Sequence, residues 1–153
     1  MEYPNPLYIN ELLELVSNSP FPKHMGMALT SIDMDTAEVT LDTAKCHLQP
    51  FANVHGGVLA SLIDTATFWA AFLRLPENTG LVNVDLKLNY LKPVQSGIQL
   101  KAAGRTLRHG KRVSYAEAPV FDQHGDMVAH GTSTLMIFPG KGLSLKSPKF
   151  IQE

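Results

Sequence analysis

The chain has 153 residues, of which 44% are hydrophobic and 18% are charged, and its formal net charge is −1. This is the length of one domain, the apolar content excludes a disordered chain, and the lack of a basic excess argues against a general nucleic-acid-binding protein. Because soluble domains average about 25% charged residues, the low charged fraction also indicates a surface buried against another subunit.

Cysteine content and the N-terminal segment indicate the compartment. Cys46 is the only cysteine, which excludes an internal disulfide and fits a reducing environment. The segment from Met1 to Pro6 has no basic stretch leading into an apolar run, so no signal peptide is expected. We therefore expect a cytoplasmic protein.

The first predicted element is a helix. Asn5 and Pro6 form a helix start, since asparagine is a favourable N-cap and proline fits the first helical position. Apolar residues then recur at helical spacing until residues 17–20 end the helix; they are Ile9, Leu12, Leu13 and Val16. Residues 1–20 are therefore assigned to an N-terminal helix, and the alternation of apolar and polar residues over 37–42 predicts a half-buried strand.

A second, longer helix is predicted after the loop that ends at Gly57. Residues 58–75 are apolar around nearly the whole circumference of a helix, which indicates a buried helix. The stretch has the length of a membrane span, but Asp64 lies within it, and a mid-span aspartate costs about 2.5–3.5 kcal/mol on insertion. We therefore expect a helix buried in protein and no membrane association.

The remainder of the chain alternates as strands do. Four strands are predicted, over residues 83–90, 98–107, 113–121 and 127–138. The turns between them are short, which makes these strands antiparallel. Residues 140–153 show no pattern and are predicted to be an irregular tail. The predicted fold class is α+β, with one antiparallel sheet curled around one long central helix in a single domain spanning residues 1–153.

Asp64 is the most informative residue, because it is the only acidic side chain in the apolar helix. An ionised carboxylate in apolar surroundings is unfavourable unless it is paired or hydrogen-bonded. Either the aspartate is structural and satisfied by a nearby hydroxyl or backbone group, or it is a nucleophile or general base with a pKa tuned by its environment. The nearby hydroxyls belong to Ser61, Thr65 and Thr67.

The residues His55, Gly56 and Gly57 at the start of this helix predict an oxyanion site. Glycines let a ligand approach the backbone closely. The first N–H groups of a helix lack intrahelical partners and carry positive partial charge, which suits a developing oxyanion. The alternative is an ordinary glycine-containing turn, with His55 an ordinary loop histidine.

The spacing of Gly56 and Asp64 has a geometric consequence. Eight residues of helix rise about 12 Å, whereas a reacting carbonyl needs its oxyanion donor and its base or nucleophile within about 3 Å each. Two antiparallel copies of the helix across a two-fold axis bring the amino end of one near the middle of the other. If both features are catalytic, the enzyme is therefore an obligate dimer or larger.

A resemblance to a known family runs through this helix start. From Gln49 to Asp64 the chain reads QPFANVHGGVLASLID, which resembles the signature of hotdog-fold acyl-CoA thioesterases of the phenylacetate-degradation and 4-hydroxybenzoyl-CoA type. Residues 82–93 resemble the strand that follows the central helix in that family, and the resemblance extends over about residues 21–138. It implies a hotdog fold.

The resemblance also implies a role for each matching residue. Asp64 would be the catalytic carboxylate, as nucleophile or as general base for water, and the Gly56 N–H would polarise the thioester carbonyl. His55 would help to position the loop, and Gln49 would hydrogen-bond near the thioester or orient water. Asn83 stands where some relatives have serine or threonine to hold the lytic water, and its amide can still orient water.

Substrate-binding residues follow from the same resemblance. The hairpin over residues 105–112 matches a region where the family often meets the phosphates of coenzyme A; its basic residues are Arg108, Lys111 and Arg112. A solvated basic turn is the alternative. Gly57 is expected beside the substrate, and Phe68 either borders an acyl pocket or belongs to the core. No cofactor is expected beyond the coenzyme A of the substrate, and no metal, since the six histidines lack metal-ligand spacing.

The sequence thus predicts a thioesterase that hydrolyses an aryl- or fatty-acyl-CoA as a homodimer or homotetramer. Two alternatives use the same fold: a non-catalytic module that binds acyl-CoA or acyl carrier protein, and an acyl-thioester dehydratase or hydratase. The buried Asp64 argues against the first, because a pure binding module needs no buried carboxylate.

Overall fold

The computed structural model describes residues 1–153, and a long helix packed against one antiparallel sheet is its main feature. The helices are α1 (Pro6–Asn18), α2 (Pro20–Met25) and α3 (Gly56–Phe72), and a short 3₁₀ turn covers Lys45–His47. The strands are β1 (Glu2–Pro4), β2 (Met27–Asp33), β3 (Thr36–Asp42), β4 (Thr79–Tyr90), β5 (Gln99–His109), β6 (Val113–Asp122), β7 (Met127–Pro139) and β8 (Phe150–Gln152).

Six strands form the main sheet in the order β2-β3-β5-β6-β7-β4, and every neighbouring pair is antiparallel. The predicted α+β class, with the sheet curled around one central helix, is confirmed, and it is the hotdog arrangement that the resemblance implied. The sheet has two open edges, β2 and β4. On β4 the side chains of Val82 and Val84 are 44% and 53% exposed.

Helix α3 fills the inside of the sheet because it is apolar on nearly every face and contains no proline. Leu62, Ile63 and Ala66 on α3 are fully buried. Strand β5 crosses the helix closely at Gly104, where an added Cβ would collide with the carbonyl oxygen of Ala66. The helix was expected after Gly57 and instead begins at Gly56. None of the helices is long and apolar enough to cross a membrane.

The predicted start of α1 is confirmed. Asn5 is the N-cap, and its Oδ1 accepts a hydrogen bond from the Leu7 N–H at 3.0 Å, directly ahead of the helical Pro6. The fully buried face differs slightly from the predicted one, since Ile9 and Leu13 are only partly buried. The buried residues of α1 are Tyr8, Leu12 and Val16.

The C-terminal tail differs from its prediction, because it is partly regular. Strand β8 pairs antiparallel with β1 at the opposite end of the chain. Next to β8, Lys149 is fully buried, and its Nζ donates hydrogen bonds to the carbonyl oxygens of Phe72 at 2.8 Å and Leu75 at 2.6 Å. A three-residue strand is too short to show alternation, so its pairing was not visible in the sequence.

Candidate active site

The carboxylate of Asp64 lies half-buried in the middle of α3. It takes part in no salt bridge and accepts no hydrogen bond within the chain, and burial raises the pKa of this carboxyl above its ordinary value of 3.8. The physical cause is the loss of hydration, which disfavours the ionised form. Asp64 is therefore a destabilised carboxylate that still reaches solvent.

The hydroxyls near Asp64 do not satisfy its carboxylate. Each donates to the carbonyl oxygen four residues earlier in α3, at 2.7 or 2.8 Å. The three residues are Ser61, Thr65 and Thr67. Within the chain, the structural interpretation of Asp64 thus lacks the side-chain partners that it needs.

Asn83 on β4 contacts the backbone at Asp64. Its Nδ2 donates to the Asp64 carbonyl oxygen at 3.3 Å and to the Ser133 Oγ at 3.4 Å. The hydroxyl oxygens of Ser133 and Thr67 are 2.8 Å apart, and both side chains are fully buried. The structure therefore brings Asn83 beside Asp64. The sequence analysis did not predict the Thr67–Ser133 pair. The available signal was the spacing of three residues between Asp64 and Thr67, which places both on one side of the helix.

The amino end of α3 presents a free N–H group. His55 is the N-cap, and its Nδ1 accepts a hydrogen bond from the Gly57 N–H at 2.8 Å. Its carbonyl oxygen accepts from the Val58 N–H at 3.0 Å. The Gly56 N–H has no partner in the chain. Because Nδ1 is an acceptor, a neutral His55 carries its proton on Nε2.

Gln49 begins the tight loop that leads to this helix. Its N–H donates to the Asn53 carbonyl oxygen at 2.8 Å, and its carbonyl oxygen accepts from the Ala52 N–H at 3.0 Å. Ala52 has a positive φ of 63°. The Oε1 of Gln49 accepts from the Phe51 N–H, so the side-chain NH₂ group remains available as a donor.

A cleft of about 440 Å³ brings Gln49 and Gly56 together with Leu59 and Tyr90. Tyr90 lies in the segment of residues 82–93 that resembles the family, but the sequence assigns it no role, since its contact with Gly56 depends on tertiary packing. Asp64 does not line this cleft, as expected from about 12 Å of helical rise. One chain thus carries two separate halves of the predicted site.

The basic hairpin lies at the other end of α3. Arg108, Lys111 and Arg112 are exposed. His109 between them has a pKa lowered by burial and by the nearby charge of Arg74, a residue just beyond the helix. A 17-residue helix is about 25 Å long. Within one chain, the basic residues are therefore remote from Gly56.

Gly57 and Phe68, the remaining predicted substrate contacts, are already engaged in the chain. The Gly57 N–H is bound by His55. Phe68 is partly buried and packs edge-to-face on Trp69, with ring centroids 4.8 Å apart. No group of three histidine, cysteine, aspartate or glutamate side chains is close enough to hold a metal ion.

The family model for the thioesterase superfamily matches residues 51–129, which include the end of the loop before α3, α3 itself and β4. The chain belongs to the thioesterase superfamily. Its predicted resemblance to hotdog-fold thioesterases is confirmed, and with it the general class of thioester or ester hydrolase.

Individual relatives agree with this assignment. A putative esterase of Haemophilus influenzae is 27% identical over 84% of this chain and 92% of its own length. A proofreading thioesterase, EntH, of Klebsiella pneumoniae is 29% identical over 74% of this chain and 82% of its own. The solved structure of the E. coli PaaI protein from the phenylacetic acid degradation operon is 23% identical, has a TM-score of 0.80 and covers 88% of this chain and 95% of its own.

Proposed function

We propose that the protein hydrolyses the thioester of an aryl- or fatty-acyl-CoA to the free acid and coenzyme A, with residues 1–153 acting as one domain of a homodimer or homotetramer. The observation that carries the proposal is the Asp64 carboxylate, half-buried and without a partner, on a helix whose first N–H is free. A buried unpaired carboxylate is destabilising, and such groups cluster at functional sites.

The proposed site combines two subunits. The Gly56 N–H of one subunit hydrogen-bonds the thioester carbonyl oxygen, and Asp64 of the partner subunit approaches the carbonyl carbon. An isologous two-fold dimer then contains two identical sites. Two features support an assembly in which a second subunit covers part of the protomer surface: β4 is an open edge of the sheet, and the chain has a low fraction of charged residues.

The chemistry follows from the charges. Asp64 acts in its ionised form, either attacking the carbonyl carbon directly or removing a proton from an attacking water. Negative charge then develops on the carbonyl oxygen, where the Gly56 N–H and the positive end of α3 stabilise it. His55 holds the neighbouring amide, and the free NH₂ group of Gln49 is a further donor to the acyl group or to water. Asn83, beside Asp64, helps to orient the water.

The substrate class is supported by the relatives and by the basic hairpin. One relative is a proofreading thioesterase, and one structural neighbour comes from a phenylacetic acid degradation operon. The basic hairpin is remote from Gly56 of its own chain. The coenzyme A phosphates would therefore bind Arg108, Lys111 and Arg112 of another subunit, one whose carboxyl end of α3 lies near the cleft that contains Gly56. No metal or further cofactor takes part. The exposed, unpaired Cys46 fits the cytoplasmic location that we propose.

The test is thiol release from a panel of aryl- and fatty-acyl-CoAs. We expect the wild-type protein to release coenzyme A, and Asp64→Asn to lose at least about 10²-fold in kcat, a loss comparable to removal of an oxyanion donor. The matched control is Asp42→Asn, an exposed aspartate on β3, which should leave the rate unchanged. Full activity in Asp64→Asn would overturn the mechanism.

The same panel separates the alternatives. Tight binding of an acyl-CoA without thiol release would indicate a binding module. Loss of enoyl absorbance with an enoyl-CoA, and again no thiol release, would indicate a hydratase. Either result would replace the hydrolytic assignment for this chain.

A further inference from the structure

The ring of Tyr90 occupies the space beside Gly56 where any other residue would have its Cβ. A Cβ added to Gly56 would lie 2.7 Å from the Tyr90 hydroxyl oxygen and 2.8 Å from its Cζ. Gly56 does not have a positive φ, so its backbone conformation does not require glycine. Close approach of Tyr90 is therefore the physical reason for a glycine at this position.

The Tyr90 hydroxyl is free to bind a ligand at this point. It forms no hydrogen bond within the chain, and the residue is 58% exposed. It lines the same cleft of about 440 Å³ as Gln49 and Gly56. Three residues with an unused hydrogen-bond donor thus line one cleft; the donors are the Tyr90 O–H, the Gly56 N–H and the Gln49 NH₂ group.

Strand geometry fixes this position. Tyr90 is the last residue of β4 and pairs with Ala129, whose side chain is fully buried on the inner face of the sheet. Directly opposite residues in an antiparallel pair project to the same face, so Tyr90 also projects inward, toward the amino end of α3. The next residue, Leu91, is anchored by its N–H to the Val128 carbonyl oxygen at 2.9 Å.

We propose that the Tyr90 hydroxyl is a second hydrogen-bond donor to the thioester carbonyl oxygen, beside the Gly56 N–H of the same subunit. The inference rests on the proposed function. The phenol keeps its proton throughout, and its hydrogen bond strengthens as the carbonyl oxygen becomes negatively charged. Tyr90 is in this sense a catalytic residue, because it touches a reacting atom.

The variant Tyr90→Phe removes the hydroxyl and keeps the ring against Gly56. Removal of one oxyanion donor typically costs about 10²–10³ in kcat; with Gly56 still present, we expect a fall of roughly 10² in kcat for benzoyl-CoA and little change in KM. Tyr115→Phe is the matched control, since Tyr115 lies on the outer face of β6 and is 39% exposed. It should keep the wild-type kcat.

A spectroscopic measurement tests the contact without turnover. Asp64→Asn should hold benzoyl-CoA intact, and a ¹³C label at the carbonyl isolates its infrared stretch. We expect this stretch to lie below its solution frequency and to move back toward it in the double variant Asp64→Asn/Tyr90→Phe. A purely structural tyrosine would leave the frequency unchanged.

The outcomes separate the two proposals. An active wild type with unchanged kcat and unchanged carbonyl frequency after loss of the hydroxyl overturns the role of Tyr90 and leaves the proposed function intact. A wild type that releases no thiol from any acyl-CoA overturns the proposed function, and the role of Tyr90 with it.

Discussion

A carboxylate that leaves water must recover its lost hydration from hydrogen bonds, and Asp64 recovers none within its own chain. Water hydrates the same group fully in the unfolded protein. Folding therefore raises its pKa, and the ionised form at neutral pH opposes folding. A residue of this kind is expected where function outweighs stability.

The first prediction at this scale is that Asp64→Asn stabilises the protein. We expect the free energy of unfolding at pH 7 to rise by about 1 kcal/mol, because asparagine keeps the shape of the side chain and removes the partly desolvated charge. Because the folded-state pKa of Asp64 lies above the ordinary 3.8, the stability of the wild type falls as the pH rises from 3.8 through the folded-state pKa. The advantage of asparagine should therefore disappear at lower pH, where Asp64 is protonated in both the folded and the unfolded state.

Denaturant unfolding at equal protomer concentration, over a pH series, measures this difference. Asp42→Asn again serves as control and should show no comparable gain. A variant less stable than wild type at pH 7 would mean that the Asp64 carboxylate has a stabilising partner in the assembled protein.

Single residues also mark how far the sequence can be interpreted. Asp64 is recognisable because its charge interrupts an apolar helix, and His55 and Gly56 because they precede it. Tyr90 is not recognisable from the sequence, because the alternation along β4 predicts which face of the sheet its side chain is on but not which residue it contacts there. The contact with Gly56 appears only when the strand and the helix are packed together.

At the scale of elements, the long periodic segments and the alternating strand β3 were predictable, whereas β2, α2 and β8 were not. Helix α3 and the four long strands after it follow directly from their patterns, and the boundaries differ by only a few residues. Helix α2 has six residues and strand β8 has three, too few to show a period. Their formation depends on tertiary contacts, such as the pairing of β8 with β1.

The buried Lys149 joins several of these elements. Its Nζ donates to the carbonyl oxygens of Phe72, at the end of α3, and of Leu75, just beyond it, as basic side chains do at helix C-termini. The Nζ also lies 4.2 Å from the centroid of the Phe72 ring. Its backbone N–H donates to Glu77 at 3.1 Å. Burial lowers the pKa of Lys149 to about 8, while the charge of Glu77 opposes this shift.

The resulting prediction concerns alkaline pH. Between pH 8 and 10.5 the unfolded chain keeps the proton that folded Lys149 has lost, so Lys149 makes stability rise with pH. The quantity to compare is the free energy of unfolding of the wild type minus that of Lys149→Met. We expect this difference to increase by roughly 3 kcal/mol between pH 8 and 10.5. Chemical unfolding of both proteins at matched pH measures the difference.

Comparison with a variant is needed because other groups near Lys149 also titrate. The pKa of Tyr8 is raised to about 12 by burial and by the charges of Glu77 and Glu11, which lowers stability above pH 10 in both proteins. This contribution cancels in the difference. A difference that stays constant from pH 8 to 10.5 would contradict the assignment.

For the whole molecule, the separation of Gly56 from Asp64 predicts that activity needs two subunits. Gly56→Ala keeps the backbone N–H, but its Cβ would collide with the Tyr90 ring and displace the donors of the cleft. We expect Asp64→Asn and Gly56→Ala, each nearly inactive alone, to regain activity when they are unfolded together and refolded at equal amounts. Half of the dimers are then mixed, and each mixed dimer contains one intact site, which gives about a quarter of the wild-type specific activity. Thiol release from the refolded mixture measures it.

Two controls define this experiment. Each variant refolded alone should stay inactive, and the two variants mixed without unfolding should recover activity only as fast as subunits exchange. No recovery after joint refolding would place both groups of a site in one chain, and the two-subunit mechanism would be wrong.

The open edge of β4 has a consequence for the protein in the cell. A long edge strand with exposed valines, such as Val82 and Val84, is a template for pairing with any other extended chain. An isolated protomer would therefore be prone to aggregate. Variants that weaken subunit association should then be lost from the soluble fraction rather than accumulate as inactive monomers. In the cell, degradation of these variants would make a defect in assembly appear as a low protein level.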